Sequence, residues 1–435
     1  MKTLNEIQKI AVLGASGKMG RGIVWLLVQY FFTSHFNKGI TFQIHTIDVS
    51  EEGLISMLDY VRAQAIRYAE KKPELLKQLY EKESLNLDQE QLAKQYAKDI
   101  VSHISISTAL DAAANSSVIF EAVVEKLAVK VQIIREIEEK SNEPPFYFTN
   151  TSSIPIKTIE EKANVKGRII GFHFYNPPPV QKLLEIIKTE NSTKEIEQLA
   201  DEVALGLGKH IVYAPDFTGF IGNGQFIREI SYAIGLVERL VLVNGLPNAI
   251  YMVNQVTKRL LLRPMGIFEV VDYVGINVCQ FIMDIMEREF KNEQFNNSLL
   301  KRLLKNGIYG GQDGFGKVKN GIFKYENGEL VAVYNRTKYE AFDPLDLDHL
   351  APNNWKDIRF RKDLDAVLSS HFDNLSNSGG LAAKAAVKYG KACNDIGKRL
   401  VDNELAFSEQ DVNTVMMLGF HHLYGPINSF FHEDK

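Results

Sequence analysis

The sequence predicts an α/β domain built on a parallel sheet, followed by one or more all-α helical domains. Over the first half of the 435 residues, short apolar stretches typical of buried strands alternate with helical patterns. From about residue 214 onward, long helical patterns with apolar stripes take their place. The first apolar stretch, residues 9–14, runs through a glycine-rich turn into a helix. This order is typical of a Rossmann-type dinucleotide-binding domain.

The glycine-rich turn reads GASGKMG at residues 14–20 and precedes the apolar helical run at residues 23–28. Glycines permit a tight turn and a close backbone approach to a pyrophosphate, and the helix N-terminus attracts its negative charge. The spacing is GxxGxxG instead of the usual GxGxxG, so the turn carries one extra residue. An ordinary strand–helix turn is the alternative. The predicted cofactor contacts here are Gly14, Gly17, Lys18, Met19 and Gly20.

Asp48 follows the second predicted strand, Gln43–Ile47. A carboxylate at this place accepts hydrogen bonds from the ribose 2′-hydroxyl of NAD and repels the extra phosphate of NADP. Asp48 lies 28 residues beyond Gly20, whereas the usual separation is about 20. We assign the excess to a long exit from the first helix at residues 30–39. The alternative role for Asp48 is a helix cap, and we expect NAD as the cofactor.

The next part of the chain is predicted as a helical hairpin followed by three strands. Helical patterns at residues 51–85 and 87–97, interrupted by Pro73, form the hairpin. Open parallel sheets bind ligands beside the carboxyl ends of their strands, so Gly14, Asp48, Glu125 and Ser152 are candidate site residues. The predicted strands are 104–106, 117–124 and 146–150, with helices at 108–113 and 129–140.

Two ionisable residues interrupt apolar strands further along the chain. His173 stands in the predicted strand 168–174, and Glu185 stands in the apolar run 183–187. If the fold pairs these strands, the carboxylate can hold the imidazole as a base near neutral pH. The alternative is that His173 is a hydrogen-bonded core histidine and Glu185 marks a strand end.

The second half of the chain is predicted to be helical. Residues 326–354 are polar and contain Pro344 and Pro352, which predicts a linker or a surface wrap. We therefore expect domains at residues 1–213, 214–330 and 331–435, the last being this linker and a helical tail. The predicted helices are 220–243, 247–259, 267–288, 297–306, 381–401 and 408–418.

Composition limits the class of protein. A formal charge of −4 gives no electrostatic basis for binding nucleic acid or an anionic membrane. Two cysteines, Cys279 and Cys393, provide neither a disulfide framework nor a cysteine-based metal site. We interpret the adjacent His421 and His422 as packing or surface groups, so no metal is expected. There is no signal-peptide pattern or membrane-length apolar run, and the sequence predicts a cytoplasmic protein.

Four motifs stand out in the sequence: EAVVEKLAVK at 121–130, NTSS at 150–153, GFHFYNPPPVQKLLEII at 171–187 and PDFTGFIGN at 215–223. They resemble motifs of L-3-hydroxyacyl-CoA dehydrogenases, the NAD-dependent enzymes of fatty-acid β-oxidation. The similarity is weaker at residues 263–277 and 316–325, and residues 411–426 resemble a second copy of the family's helical domain. The glycine turn is one residue longer than the family's, Lys319 stands where a glycine is common, and Asn277 replaces a common aspartate.

The resemblance implies roles for individual residues. The family's catalytic histidine and glutamate correspond to His173 and Glu185, so His173 is expected to remove the proton of the substrate's C3 hydroxyl group. Ser152 and Asn223 are expected to hold the reacting oxygen. The resemblance also implies an acyl-CoA substrate and a homodimer formed through the helical domain. The further cofactor contacts that it implies are Ala122, Glu125, Lys130, Ser152, Asn176 and Lys317.

Two other functions stay open on the sequence alone. One is a dehydrogenase of a CoA-free hydroxy acid on the same scaffold, and the other is a non-catalytic NAD-binding homologue. The joint presence of Ser152, His173, Glu185 and Asn223 favours an enzyme, because a binding module has no need of all four.

Overall fold

The computed structural model describes residues 7–81, 87–313 and 316–431. The chain divides into two compact units, Met1–Phe217 and Thr218–Lys435. An eight-stranded sheet forms the centre of the first unit, and helices dominate the second, in the part of the chain that the structure describes. This confirms the predicted fold class, an α/β Rossmann-type domain followed by a helical region. The further division near residue 330 stays a prediction.

The sheet of the first unit has the topology of a dinucleotide-binding domain. Its spatial order is β3-β2-β1-β4-β5-β6-β7-β8, and only β7 and β8 run against the other strands. The chain builds outward in opposite directions from the parallel neighbours β1 and β4, and ligands bind at such a switch point. The strands are β1 Lys9–Leu13, β2 Gln43–Ile47, β3 Ile104–Ser107, β4 Val118–Glu121, β5 Phe146–Thr149, β6 Ile169–Phe174, β7 Leu183–Ile187 and β8 His210–Ala214.

Helices cover this sheet, and their apolar stripes explain their formation. Leu54, Met57 and Val61 recur at helical spacing on α2 and are buried in the core of the first unit. Pro73 occupies the first turn of α3, which explains the predicted interruption of the hairpin. The end of the helix predicted at 51–85, residues 82–85, lies outside the described residues. The helices are α1 Lys18–His35, α2 Glu51–Lys71, α3 Pro73–Leu79, α4 Gln89–Ser102, α5 Leu127–Lys140, α6 Ile156–Ala163 and α7 Lys194–Gly206.

Two glycines with positive φ interrupt the helical pattern of the second unit. Gly245, with φ of 70° and ψ of 162°, kinks α8 between the two helices predicted there. The single helix predicted at 267–288 is wrong, because Gly275 with φ of 113° separates α9 from α10. The helices are α8 Phe220–Gln255, α9 Ile267–Val274, α10 Ile276–Glu289, α11 Ser298–Lys305, α12 Trp355–Ile358, α13 Leu364–Ser376, α14 Leu381–Asp402 and α15 Glu409–Gly419.

A small antiparallel sheet occupies much of the stretch predicted as a linker or surface wrap. It consists of β9 Phe323–Glu326, β10 Glu329–Asn335 and β11 Lys338–Glu340. Asn327 and Gly328 both have positive φ, 51° and 85°, as the tight turn of a two-residue hairpin requires. Buried residues on both sides of position 330 belong to one hydrophobic core of this unit.

Candidate active site

The glycine turn after β1 is closely packed. A Cβ atom on Gly14, whose φ is 72°, would lie 2.5 Å from the carbonyl oxygen of Ala122. A Cβ atom on Gly20 would lie 2.0 Å from the carbonyl oxygen of Gly14. Gly17 caps α1 and has no side chain to cover the first N–H groups of the helix. These glycines therefore bring the turn against the exit of β4 and present a helix N-terminus suited to a pyrophosphate.

The lengthened turn is held against the end of β2. The backbone N–H groups of Gly14 and Ala15 donate to the carbonyl oxygen of Ile47, at 2.9 and 3.2 Å. The N–H group of Ser16 donates to Oδ2 of Asp48 at 3.0 Å. The extra residue is thus accommodated by contacts with β2, and the turn and Asp48 share one edge of the sheet. Of the other predicted contacts, Lys18 is exposed at the start of α1, and Met19 packs partly against the core.

A buried ion pair lies at the end of β4. Nζ of Lys130 is 2.8 and 2.9 Å from the two carboxylate oxygens of Glu121, and both side chains are almost completely buried. Thr149 Oγ1 and the N–H group of Val123 also donate to Glu121, at 2.6 and 2.8 Å. Nζ of Lys130 is also 3.3 Å from Oε2 of Glu125. Lys130, a cofactor contact by resemblance, is therefore enclosed between two carboxylates.

Glu125 organises the loop that follows β5. Its Oε1 accepts hydrogen bonds from Thr151 Oγ1 at 2.7 Å, Ser153 Oγ at 2.8 Å, and the N–H groups of Ser152 and Ser153, both at 2.9 Å. Burial raises the pKa of Glu125, but Lys130 and these donors outweigh it and hold the pKa below its ordinary value. The NTSS loop is thus wrapped around an ionised carboxylate that follows β4.

Asn150, which the sequence analysis did not single out as a site residue, joins three strand ends. Its N–H group donates to the carbonyl oxygen of Glu121 at 2.7 Å, and its Oδ1 accepts from the N–H group of Phe174 at 2.8 Å. The exits of β4, β5 and β6 are therefore fixed to one another. Ser152 follows β5, and His173 is the penultimate residue of the neighbouring strand β6.

The fold pairs His173 with Glu185. The two residues lie opposite each other in the antiparallel pair β6–β7, and His173 Nδ1 is 2.9 Å from Glu185 Oε2. Glu185 is completely buried, whereas His173 keeps 8% exposure. The hydroxyl group of Tyr175 also donates to Glu185 Oε2, at 2.9 Å. Tyr175 was not predicted as a site residue, although its place two residues after His173 puts both side chains on one side of an extended chain.

The segment after β6 is supported by a buried lysine. Lys209 donates to the carbonyl oxygens of Pro178 and Gln181. Burial, together with the charge of Lys182, lowers the pKa of Lys209 to about 8. Asn176, a predicted cofactor contact, begins this segment and is half-buried.

Two predicted site residues belong to the second unit. Asn223 is half-buried in the first turn of α8. This helix begins directly after Gly219, whose φ is 87°. Lys317 is exposed, and its N–H group donates to Asp313 Oδ1 at 2.9 Å. Their roles in catalysis and cofactor binding stay predictions.

The described residues form neither a metal-binding cluster nor a helix suited to crossing a membrane. Across residues 7–81, 87–313 and 316–431 no group of three or more histidine, cysteine, aspartate or glutamate side chains could hold a metal ion. In the same described ranges, no helix is both long and apolar enough to cross a membrane. Cys279 and Cys393 are buried free thiols.

The sheet topology, the glycine turn and the acidic residue after β2 define a dinucleotide-binding domain of the dehydrogenase type. Residues 9–217 match the family model of the NAD binding domain of 3-hydroxyacyl-CoA dehydrogenase, and residues 219–320 match that of its C-terminal domain. The chain therefore belongs to the 3-hydroxyacyl-CoA dehydrogenase family. This confirms the predicted family, the NAD cofactor and the enzyme class.

Individual relatives agree with this assignment. The chain is 28% identical over 322 residues to a probable 3-hydroxybutyryl-CoA dehydrogenase of Bacillus subtilis, covering 74% of this chain and 98% of that protein. It is 34% identical over 230 residues to human mitochondrial hydroxyacyl-coenzyme A dehydrogenase, covering 51% of this chain and 69% of that protein. The crystal structure of 3-hydroxybutyryl-CoA dehydrogenase from Escherichia coli K12 shares the fold. It has a TM-score of 0.66 at 20% identity, over 97% of this chain and 90% of that one.

Proposed function

We propose that the chain oxidises L-3-hydroxyacyl-CoA to 3-ketoacyl-CoA, with His173 as the general base and Glu185 as its partner. The observation that carries this proposal is the 2.9 Å contact between His173 Nδ1 and Glu185 Oε2. It lies at the edge of the sheet where β5 and β6 end, next to the NTSS loop. A buried carboxylate on one ring nitrogen is the arrangement that lets the other nitrogen act as a base.

The proposed proton transfer starts at the C3 hydroxyl group of the substrate. With Nδ1–H donating to Glu185, the tautomer of His173 places the lone pair on Nε2, which accepts the hydroxyl proton. Glu185 then stabilises the imidazolium that forms. Bound NAD supplies the hydride acceptor for the hydrogen on C3.

Ser152 and Asn223 are proposed to hold the substrate oxygen as it becomes a carbonyl group. Ser152 suits this role because its N–H group is fixed by Glu125 at 2.9 Å, so its position is defined before substrate binds. Asn223 is assigned to the role by family resemblance. Such positioned donors contribute on the order of 3 kcal/mol to transition-state stabilisation.

The cofactor contacts are proposed to fall into direct and indirect groups. Lys130 is proposed to support the cofactor site indirectly, by holding Glu121 and Glu125 in place, because their carboxylates enclose its ammonium group. A Cβ atom on Gly14 or Gly20 would clash with the backbone of Ala122 or Gly14, so the turn requires glycine at both positions. A glycine turn of this kind lets the backbone approach the pyrophosphate. The proposed direct contacts are Gly14, Gly17, Lys18, Met19, Gly20, Asp48, Ala122, Glu125, Ser152, Asn176 and Lys317.

Assembly and location belong to the same proposal. A homodimer formed through the helical unit is proposed from the family resemblance, and sedimentation analysis tests it. A cytoplasmic location is proposed from the two free thiols, which suit a reducing compartment. Neither nucleic acid nor a membrane is a proposed partner, given the formal charge of −4.

The proposal is tested by oxidation of NADH with 3-ketoacyl-CoAs of increasing chain length. We expect turnover with acetoacetyl-CoA or a longer member of the series. Turnover of free 3-keto acids in preference to the CoA thioesters would instead support a dehydrogenase of CoA-free acids. Binding of NADH without turnover of any of these compounds would support a non-catalytic homologue.

A further inference from the structure

We propose that Tyr175 is a positioning residue that acts through Glu185 to keep His173 in its neutral, basic form. This inference rests on the proposed role of His173 as the general base. The evidence is that Tyr175 and His173 bind the same carboxylate oxygen.

The geometry makes Tyr175 part of one compact group. Its hydroxyl group and His173 Nδ1 both lie 2.9 Å from Oε2 of Glu185. The two rings lie against each other, with centroids 5.1 Å apart and planes inclined by 46°. Glu185 is completely buried, so bulk water does not screen its charge. A change in the charge that Oε2 carries is therefore felt directly by the imidazole ring.

The tyrosine acts as a permanent donor. Burial, followed by the neighbouring charge of Glu185, raises the pKa of Tyr175 well above its ordinary value. The hydroxyl group thus keeps its proton throughout the pH range in which an imidazole titrates. A donor on Oε2 withdraws negative charge from the oxygen that faces the imidazole, and this weakens the stabilisation of imidazolium. The neutral ring that a general base requires is favoured as a result.

The Tyr175→Phe variant separates this role from simple packing, because it keeps the ring and removes only the donor. Without the donor, Glu185 attracts the imidazolium more strongly, so the acid limb of kcat/KM for hydroxyacyl-CoA oxidation should move to higher pH. Below the midpoint of that limb we expect kcat/KM to fall by about threefold to tenfold, the typical net effect of one hydrogen bond. Above the limb it should approach the wild-type value.

A measurement without substrate tests the inference independently of the proposed function. The ring resonances of His173 are titrated by NMR in wild type, Tyr175→Phe, Glu185→Gln and the double variant. We expect the His173 titration midpoint to lie at higher pH in Tyr175→Phe than in wild type. In the Glu185→Gln background the tyrosine substitution should leave the midpoint unchanged, because the effect passes through the carboxylate. Equal midpoints in wild type and Tyr175→Phe, or an equal displacement in both backgrounds, would overturn the inference.

A matched control and a second variant complete the test. Tyr213 donates to Asp201 at 2.8 Å elsewhere in the first unit, so Tyr213→Phe removes a similar bond and should leave the His173 midpoint in place. If Tyr175→Phe does not fold, site-specific 3-fluorotyrosine at this position retains the ring and strengthens the donor. It should move the midpoint to lower pH, and an unmoved midpoint would overturn the inference. If the protein turns over no hydroxyacyl-CoA, only the proposed function is contradicted. The NMR titration still tests the role of Tyr175.

Discussion

The N–H group of Ser152 donates to Oε1 of Glu125 at 2.9 Å, so a carboxylate that follows β4 fixes the loop that follows β5. Four donors from this loop converge within 2.9 Å on the same oxygen. The proposed substrate-binding serine is therefore positioned by Glu125, and its function depends on a residue outside its own loop.

Replacing Glu125 by glutamine tests this dependence. An amide at this position weakens the charge-assisted bonds to the loop and leaves Lys130 with one carboxylate fewer. We expect a loss of about 1–3 kcal/mol in the free energy of unfolding and a decrease in kcat of about tenfold. Glu139→Gln, at an exposed position on α5, is the control for charge alone. Unfolding curves and kcat equal to those of Glu139→Gln would contradict the account.

Lys130→Met should destabilise the first unit strongly. Its Nζ neutralises the fully buried Glu121 at 2.8 Å, and removing it leaves an uncompensated charge in the core. We expect a loss of roughly 3–5 kcal/mol in the free energy of unfolding, measured by chemical denaturation. The double variant Lys130→Met/Glu121→Gln should recover part of this loss, because the unpaired charge is then absent. A double variant no more stable than Lys130→Met would contradict this explanation.

Gly20→Ala should abolish NADH binding and reduce stability. The added Cβ atom would lie 2.0 Å from the carbonyl oxygen of Gly14, so α1 or the turn must shift. Gly379→Ala is the matched control, since nothing lies within 4 Å of a Cβ atom there and its φ is not positive. Fluorescence titration with NADH and thermal unfolding provide the measurements. Unchanged NADH affinity in Gly20→Ala would show that the turn tolerates displacement.

Asp272 should make the stability of the second unit depend on pH. Burial raises the pKa of Asp272 to about 7. Three hydrogen-bond donors partly oppose this increase: the N–H groups of Ile322 and Phe323 and the hydroxyl group of Tyr325. Because the folded chain binds this proton more tightly than the unfolded chain, the stabilisation is present at low pH. It is lost as the pH rises from about 4 to about 7.

The measurement compares wild type with Asp272→Asn, whose amide does not titrate. We expect the free energy of unfolding of wild type, relative to the variant, to fall by roughly 4 kcal/mol across this interval. Parallel stability profiles for the two proteins would mean that Asp272 is ionised throughout.

The sequence predicted those parts of the site that depend on local pattern. His173 and Glu185 were visible because each interrupts an apolar strand, and Gly14 and Asp48 because each follows one. The burial of Lys130 was not predictable, since a lysine on a helix is ordinarily exposed and only the tertiary fold places two carboxylates around it.

Other features were missed although a signal was present. The Asn327-Gly328 dipeptide between β9 and β10 is a hairpin signal, but the polar composition of the stretch and its two prolines favoured a linker. Gly275 was a signal for a helix boundary, but the continuous apolar pattern of residues 267–288 favoured a single helix. Tyr175 was overlooked because its contact with Glu185 depends on the pairing of β6 with β7.

A comparison of wild type with His173→Gln tests most directly whether His173 removes the substrate proton. Wild type and His173→Gln are compared for NADH affinity and for kcat with the most active 3-ketoacyl-CoA, with His210→Gln, at the exposed start of β8, as the control. We expect His173→Gln to bind NADH like wild type but to lose kcat by about 10²–10⁴-fold, whereas His210→Gln should retain both. Retention of wild-type kcat in His173→Gln would contradict this role of His173.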